Sequence, residues 1–253
     1  MKRKSDEPFL REVVLLRDKV ENWDAYPFSI PAVRNLDALA LHPRVTFLVG
    51  ENGSGKSTLI EGIAVAAGFN AEGGSQNFNF TTRASESPLH SALRLVRGIR
   101  RPRSGFFLRA ESFFNVASEV ERLDQIDPGL LASYGGKSLH EQSHGESFLA
   151  LVNERFGEDG LYLMDEPEAA LSPQRQLALL VAFDRLVQQD RSQLIVATHS
   201  PILLAYPAAR IYSLDEQGVA EVEYEKTEHY SLTRDFLLNR DRYLRRLKAS
   251  GGE

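Results

Sequence analysis

Three groups of residues in this 253-residue chain have the types and spacing to do chemistry on phosphate groups. The first is Gly50-Glu51-Asn52-Gly53-Ser54-Gly55-Lys56-Ser57, continued by Thr58, an unbroken match to G-x-x-x-x-G-K-[ST]. Its glycines permit a close backbone approach to a ligand. The N–H groups of Gly50, Asn52, Gly53, Ser54 and Gly55 can then form a nest for anionic oxygens. In that pattern Lys56 reaches the outer phosphates and the Ser57 hydroxyl ligates Mg²⁺. The second group is Asp165-Glu166, two adjacent acids after an apolar run. Repulsion and desolvation disfavour such a pair. A bound Mg²⁺ removes the difficulty, with Asp165 as metal ligand and Glu166 placed to orient and deprotonate a water. The third is His199 in Val-Ala-Thr-His-Ser-Pro. Its imidazole could donate a hydrogen bond to a terminal phosphate or serve only the packing.

These groups need elements to hold them. Val45–Val49 reads as a buried strand entering the glycine loop, and Thr58–Ala67 as a helix leaving it, with Leu59, Ile60, Ile63 and Ala67 on one face. Gly160–Glu166 and Gln193–His199 read as further buried strands. A strand is expected at 105–110 and another within 9–22. A proline-bearing edge strand or loop is expected at 26–33, and a hairpin about Gln217-Gly218. Helices are expected at 92–101, 113–126, 143–156, 173–189 and 231–248, and a long loop at 68–92. Strands separated by helices indicate an α/β fold with a mainly parallel central sheet, an antiparallel β part and a small helical lobe at about 112–157. The expectation is one domain over residues 1–253, closed by an arginine-rich C-terminal helix at 231–248.

Composition narrows the function classes. Hydrophobic residues make up 42% and charged residues 26%, values that support a sizeable core. The net charge of −5 argues against a generally nucleic-acid-coated surface, though not against a local basic patch. With no cysteine, disulfides, zinc-thiolate sites and cysteine nucleophiles are excluded. The opening Met-Lys-Arg-Lys-Ser-Asp-Glu-Pro-Phe lacks the apolar region of a secretion signal, and no apolar run approaches the ~20 residues that span a bilayer. A cytoplasmic location without direct membrane insertion is expected.

Taken together the motifs resemble the ABC-type ATPases. The P-loop is Gly50–Ser57, and Ser143-His144-Gly145-Glu146-Ser147 is similar to the family signature Ser-Gly-Gly-Gln. Leu161–Glu166 resembles the second nucleotide motif, Ala169-Ala170-Leu171-Ser172-Pro173 the D-loop, and His199 the switch histidine. All stand in the family's order across residues 40–205. Within the family the chain is most similar to soluble ATPases related to the DNA-repair and chromosome-maintenance branch. The resemblance implies ATP and Mg²⁺ as cofactors. It implies Lys56, Glu166 and His199 as catalytic groups, Ser57, Asp165 and Glu111 as metal-side groups, and Ser143 and Gly145 as contacts to the terminal phosphate. There are departures. His144 and Glu146 replace glycine and glutamine, Ser172 replaces the D-loop aspartate, and Glu111 stands where a Q-loop glutamine is usual. Tyr26 is a candidate for stacking on adenine or for packing under an edge strand.

In this family the signature helix faces the nucleotide of a partner subunit. The resemblance therefore implies an ATP-dependent, head-to-tail homodimer that opens on hydrolysis. The first functional reading is an ATPase that runs a conformational cycle on an unidentified macromolecule, with DNA a candidate. Arg94, Arg97, Arg100, Arg101 and Arg103, and Arg240, Arg242, Arg245, Arg246 and Lys248, could neutralise phosphates or form solvated faces. The interval from Glu111 to Ser143 is too short for long coiled-coil arms. The alternative is the motor subunit of a membrane transporter. A third reading is a slow switch in which ATP binding carries the signal, and Glu166 argues against it.

Overall fold

The computed structural model describes residues 7–76, 87–111, 113, 122, 144–189 and 191–250. The chain runs through β1 (Leu10–Leu15), α1 (Pro31–Arg34), β2 (Ala38–Ala40), β3 (Val45–Val49), α2 (Lys56–Ala67), α3 (Leu89–Ala92), β4 (Leu93–Arg97) and β5 (Ser104–Arg109). Next come α4 (His144–Arg155), β6 (Gly160–Asp165), α5 (Pro173–Asp184), β7 (Gln193–Ala197) and α6 (Pro201–Leu204). The hairpin strands β8 (Arg210–Asp215) and β9 (Gly218–Glu221) follow, then α7 (Glu228–Leu238) and α8 (Arg240–Ser250).

The central sheet has the order β5-β6-β7-β3-β8-β9. Its first five strands are parallel and β9 closes the edge antiparallel to β8. A strand buried on both faces reads as a nearly continuous apolar run, and β3, β6 and β7 supply such runs, with Thr46, Asp165 and Gln193 as their polar members. Period-two alternation divides these side chains between two cores. Phe47, Tyr162, Met164, Leu194 and Val196 face the layer of α4 and α5, with Phe148, Leu151, Leu179 and Phe183. Leu48, Leu161, Leu163 and Ile195 face the layer of α2, with Leu59, Ile60 and Ile63.

A second, antiparallel sheet, β2-β1-β4, shares the α2-side core. Buried Gln193 ties the sheets together. Its amide oxygen accepts from Leu10 N (2.9 Å), and its amide nitrogen donates to the carbonyls of Leu10 (2.8 Å) and His42 (3.0 Å).

Three expectations differ from the structure. Residues 92–101 hold the strand β4 over Leu93–Arg97, although the arginines at 94, 97, 100 and 101 suggested a helix face. β4 pairs with β1, whose buried Leu10, Val13 and Leu15 need a neighbour, and this tertiary pairing overrides local pattern. Within 26–33 the loop alternative holds over residues 26–30, but Pro31 then opens the four-residue helix α1. The expected helix at 231–248 is two helices, α7 and α8, broken at Asn239. Asp235 accepts from Asn239 Nδ2 (2.8 Å), Tyr243 Oη (2.6 Å) and Arg242, and so fixes the bend. The helix expected at 113–126 and most of the lobe expected at about 112–157 lie outside the described residues.

Candidate nucleotide site

In a parallel sheet the carboxyl ends of the strands share one edge, where α/β folds bind ligands. Here β3 ends in the glycine loop, β6 ends in Asp165 and Glu166, and β7 ends at Thr198 and His199. The register pairs Asp165 with Ala197, and Ala197 with Leu48. Three motifs far apart in the chain thus become neighbours through hydrogen-bonded strands.

The loop is shaped by close approach. A Cβ on Gly50 would stand 2.3 Å from the backbone oxygen of Leu214, so only glycine fits. Gly53 and Gly55 have φ of 82° and 98°, the left-handed region that glycine occupies freely. Lys56, 3% exposed, opens α2 and donates from Nζ to Glu51 O at 3.1 Å. The next hydroxyl, Ser57 Oγ, donates to Asp165 Oδ1 at 3.0 Å. Thr58 Oγ1 lies 3.1 Å from Tyr26 Oη, and Tyr26 is 63% exposed.

Burial sets the charge states. Asp165 is 6% exposed. Its carboxyl is pushed up to about 6 by burial, against the pull of Arg109 and the Ser57 hydroxyl, with Glu166 and Glu111 pushing it further. Burial likewise lowers the Lys56 ammonium, while Glu166, Asp165 and Glu168 pull it back. Arg109 spans two acids, with Nε 3.5 Å from Asp165 Oδ2 and a terminal nitrogen 2.7 Å from Glu61 Oε2 on α2. Glu111 is exposed on the turn after β5.

Glu166 has φ 50°, ψ 51° and heads the turn Pro167–Ala170. Its backbone N–H donates to Ala197 O at 2.9 Å, tying it to the end of β7. Its Oε1 lies 3.2 Å from His199 Nε2, and His199 Nδ1 lies 3.0 Å from His229 Nε2 on α7. The Glu168 carboxylate accepts from the His199 backbone N–H. Burial lowers the His229 imidazole, and the neighbouring His199 lowers it further. His229, Glu168 and Arg109 stand in no motif, so pattern reading misses them.

A cleft of about 370 Å³ is lined by Gly50–Ser54, Ser213–Glu216, Glu228 and His229. Gly145 is buried near the start of α4, where a Cβ would lie 2.6 Å from an Arg175 terminal nitrogen and 2.9 Å from Ala170 O. Arg175 also pairs with Glu146 at 3.0 Å. Ser143 lies outside the described residues. Ser172, the departure in the D-loop, caps α5 by accepting from Arg175 N, with Pro173 at the first helical position.

These residues fit a nucleotide with Mg²⁺. The Gly50 cradle admits no side chain, and the buried Ser54 Oγ has no partner. The Asp165 carboxyl, buried and raised to about 6, lies 3.0 Å from the Ser57 hydroxyl, two oxygen groups of the kind that ligate Mg²⁺. Among the described residues no group of three His, Cys, Asp or Glu could hold a metal alone.

Two family models match the chain: an AAA domain over residues 19–101 and an AAA ATPase domain over 146–204. Together they take in the glycine loop, Asp165, Glu166 and His199. The chain thus carries an AAA-type ATPase domain. The ATPase is similar to the ribose import ATP-binding protein RbsA of Jannaschia sp., with 30% identity over 76% of this chain and 39% of that protein. It is also similar to an ABC transporter ATP-binding protein of Geobacter sulfurreducens, with 34% identity over 45% of this chain and 39% of that protein. The match thus spans 39% of the length of each relative. Solved structures with some likeness include the SMC head domain from Thermotoga maritima (TM-score 0.45, 15% identity, 84% of this chain, 98% of that one). Another is cbiO1 from Clostridium perfringens, part of the ABC transporter complex cbiONQ (TM-score 0.46, 19% identity, 83% and 91%). Among the described residues no helix is long and apolar enough to cross a membrane.

Proposed function

We propose that this ATPase binds ATP with Mg²⁺, closes head-to-tail with a second copy, and uses hydrolysis to drive a conformational cycle on a macromolecular partner. The observation that carries the reading is the meeting of Lys56, Ser57, Asp165, Glu166 and His199 at one sheet edge, with Ser57 Oγ on Asp165 Oδ1 at 3.0 Å. The loop N–H groups and Lys56 would hold the phosphates, and Ser57 and Asp165 would hold Mg²⁺. When bound, Mg²⁺ supplies Lewis-acid charge stabilisation. Glu166 accepts a proton from the attacking water. His199 donates a hydrogen bond towards the charge that develops on the transferred group.

The contact of Gly145 with a second copy stays part of the proposal, since in the single chain Gly145 packs on Ala170 and Arg175. Four of the Arg94–Arg103 cations are exposed, so the basic strip supports nucleic acid as the candidate partner. Arg100 and Arg103 do have a local task, since both pair with the buried Asp159.

The test is phosphate release with Mg²⁺ or with EDTA, alone and with duplex or single-stranded DNA. Mg²⁺-dependent turnover that falls at least about 100-fold in Glu166→Gln is the expected result. Turnover unaffected by that substitution would remove Glu166 from the mechanism. The names of the two curated relatives favour a second reading, the motor subunit of a transporter, in which a permease and not DNA accelerates turnover.

A further inference from the structure

We propose that His229, on the C-terminal helix α7, is a positioning residue that holds the His199 ring with its Nε2–H turned to Glu166. The inference rests on the hydrolytic reading above and adds a residue that no motif marks. His199 Nδ1 faces His229 Nε2 at 3.0 Å, and His199 Nε2 faces Glu166 Oε1 at 3.2 Å. Two facing imidazole nitrogens at that distance share one proton. In a neutral pair with that proton on His199 Nδ1, the bare Nε2 would aim its lone pair at a carboxylate oxygen, an arrangement that repels. The neutral pair free of that repulsion has His229 Nε2–H donating to His199 Nδ1, and His199 Nε2–H donating to Glu166. A charged His199 keeps the same Nε2–H. The hydrogen bond at one ring nitrogen thus decides what the other presents to the reaction.

The backbone holds His229 where this requires. Thr227 caps α7, accepting from Tyr230 N (3.4 Å) and donating to Tyr224 O (2.7 Å). The Tyr224 hydroxyl donates to Pro201 O at 2.9 Å, and the rings of Tyr224 and Tyr230 lie 4.6 Å apart. Pro201 follows His199 by two positions, so the His199 segment and the start of α7 are joined through Tyr224 as well as through the histidine pair. His229 and Glu228 also line the cleft beside Gly50–Ser54. A displacement of α7 would therefore withdraw the support of His199, which couples the C-terminal helices to turnover.

His229→Phe keeps a ring and loses the donor. It is expected to lower kcat about tenfold or more while the Kd for a non-hydrolysable ATP analogue stays unchanged. His229→Gln, whose amide can donate, should recover most of the rate. In a His199→Ala background, His229→Phe should cause no further loss. In the ligand-free protein, ¹⁵N-histidine spectra should show the His199 Nδ1 signal moving to its unbonded position in His229→Phe and staying in place in His229→Gln. Wild-type kcat in His229→Phe, an equal loss in the His199→Ala background, or an unmoved Nδ1 signal would each overturn the proposal. So would a loss of nucleotide affinity that accounts for the loss of rate, since His229 would then be a ligand contact. A wild-type protein without any turnover would sink the hydrolytic reading, while the spectral test of the histidine pair would still stand.

Discussion

At the scale of single residues, burying a carboxylate makes the site costly to the fold. Asp165 is buried, and its carboxyl titrates near 6, above the ordinary aspartate range. A raised carboxyl binds its proton more tightly in the folded state. Its contribution to stability is therefore fully present below the ordinary range and is lost as pH rises through about 6. In thermal melts of the ligand-free protein, Asp165→Asn should raise stability at pH 7.5 by on the order of 1–3 kcal/mol and lose about half of that advantage at pH 5. With Mg²⁺ and nucleotide the order should reverse, because only the carboxylate binds the cation. Equal shifts at both pH values would mean that burial of this charge is not the cause. The loop glycines offer a second contrast. Gly50→Ala forces a Cβ against the Leu214 backbone oxygen and should cost roughly 2 kcal/mol or more together with nucleotide affinity. Gly53→Ala meets open space and carries only the backbone strain of φ 82°, about 1–2 kcal/mol. Chemical denaturation of the two variants separates close approach from strain.

At the scale of elements, one side chain does what a strand would otherwise do. Gln193 is 1% exposed and satisfies both backbone groups of Leu10. Gln193→Leu keeps the volume approximately and strands those groups, so unfolding free energy should fall by roughly 2–4 kcal/mol. A change below about 0.5 kcal/mol would show that β1 finds other partners. The strand β4 makes a related point. Its arginines recur at a spacing that suits a helix, yet β1 lies ready as an unpaired edge, and pairing decides the outcome. Three arginines, Arg100, Arg103 and Arg191, converge on the buried Asp159. Part of a basic cluster that suggests a polyanion surface is thus engaged with the protein itself.

At the scale of the whole molecule, the proposed cycle depends on a second copy. Glu166→Gln should retain Lys56, Ser57 and Asp165 as ligands and stall after binding, so light scattering with ATP and Mg²⁺ should report twice the mass of the ligand-free protein. A strictly monomeric Glu166→Gln protein with tightly bound ATP would argue against closure between copies. Exposed apolar side chains on α5 and α7, among them Leu177, Val181, Leu237 and Leu238, lie outside this scheme.

The sequence alone determined the parts whose meaning is local. Gly50–Ser57 specifies a glycine loop with a helix after it, and the largely apolar runs of β3, β6 and β7 specify strands buried on both faces. Those runs also make the carboxyl ends coincide, because parallel strands in one sheet share an edge. Tertiary structure decided what depends on partners distant in the chain. It made residues 93–97 a strand, broke the last helix at Asn239 around Asp235, turned Ser172 into a helix cap, and set Arg109 beside Asp165 and His229 beside His199. No spacing rule announces such contacts, since each is created by the packing of elements that carry no mark of one another.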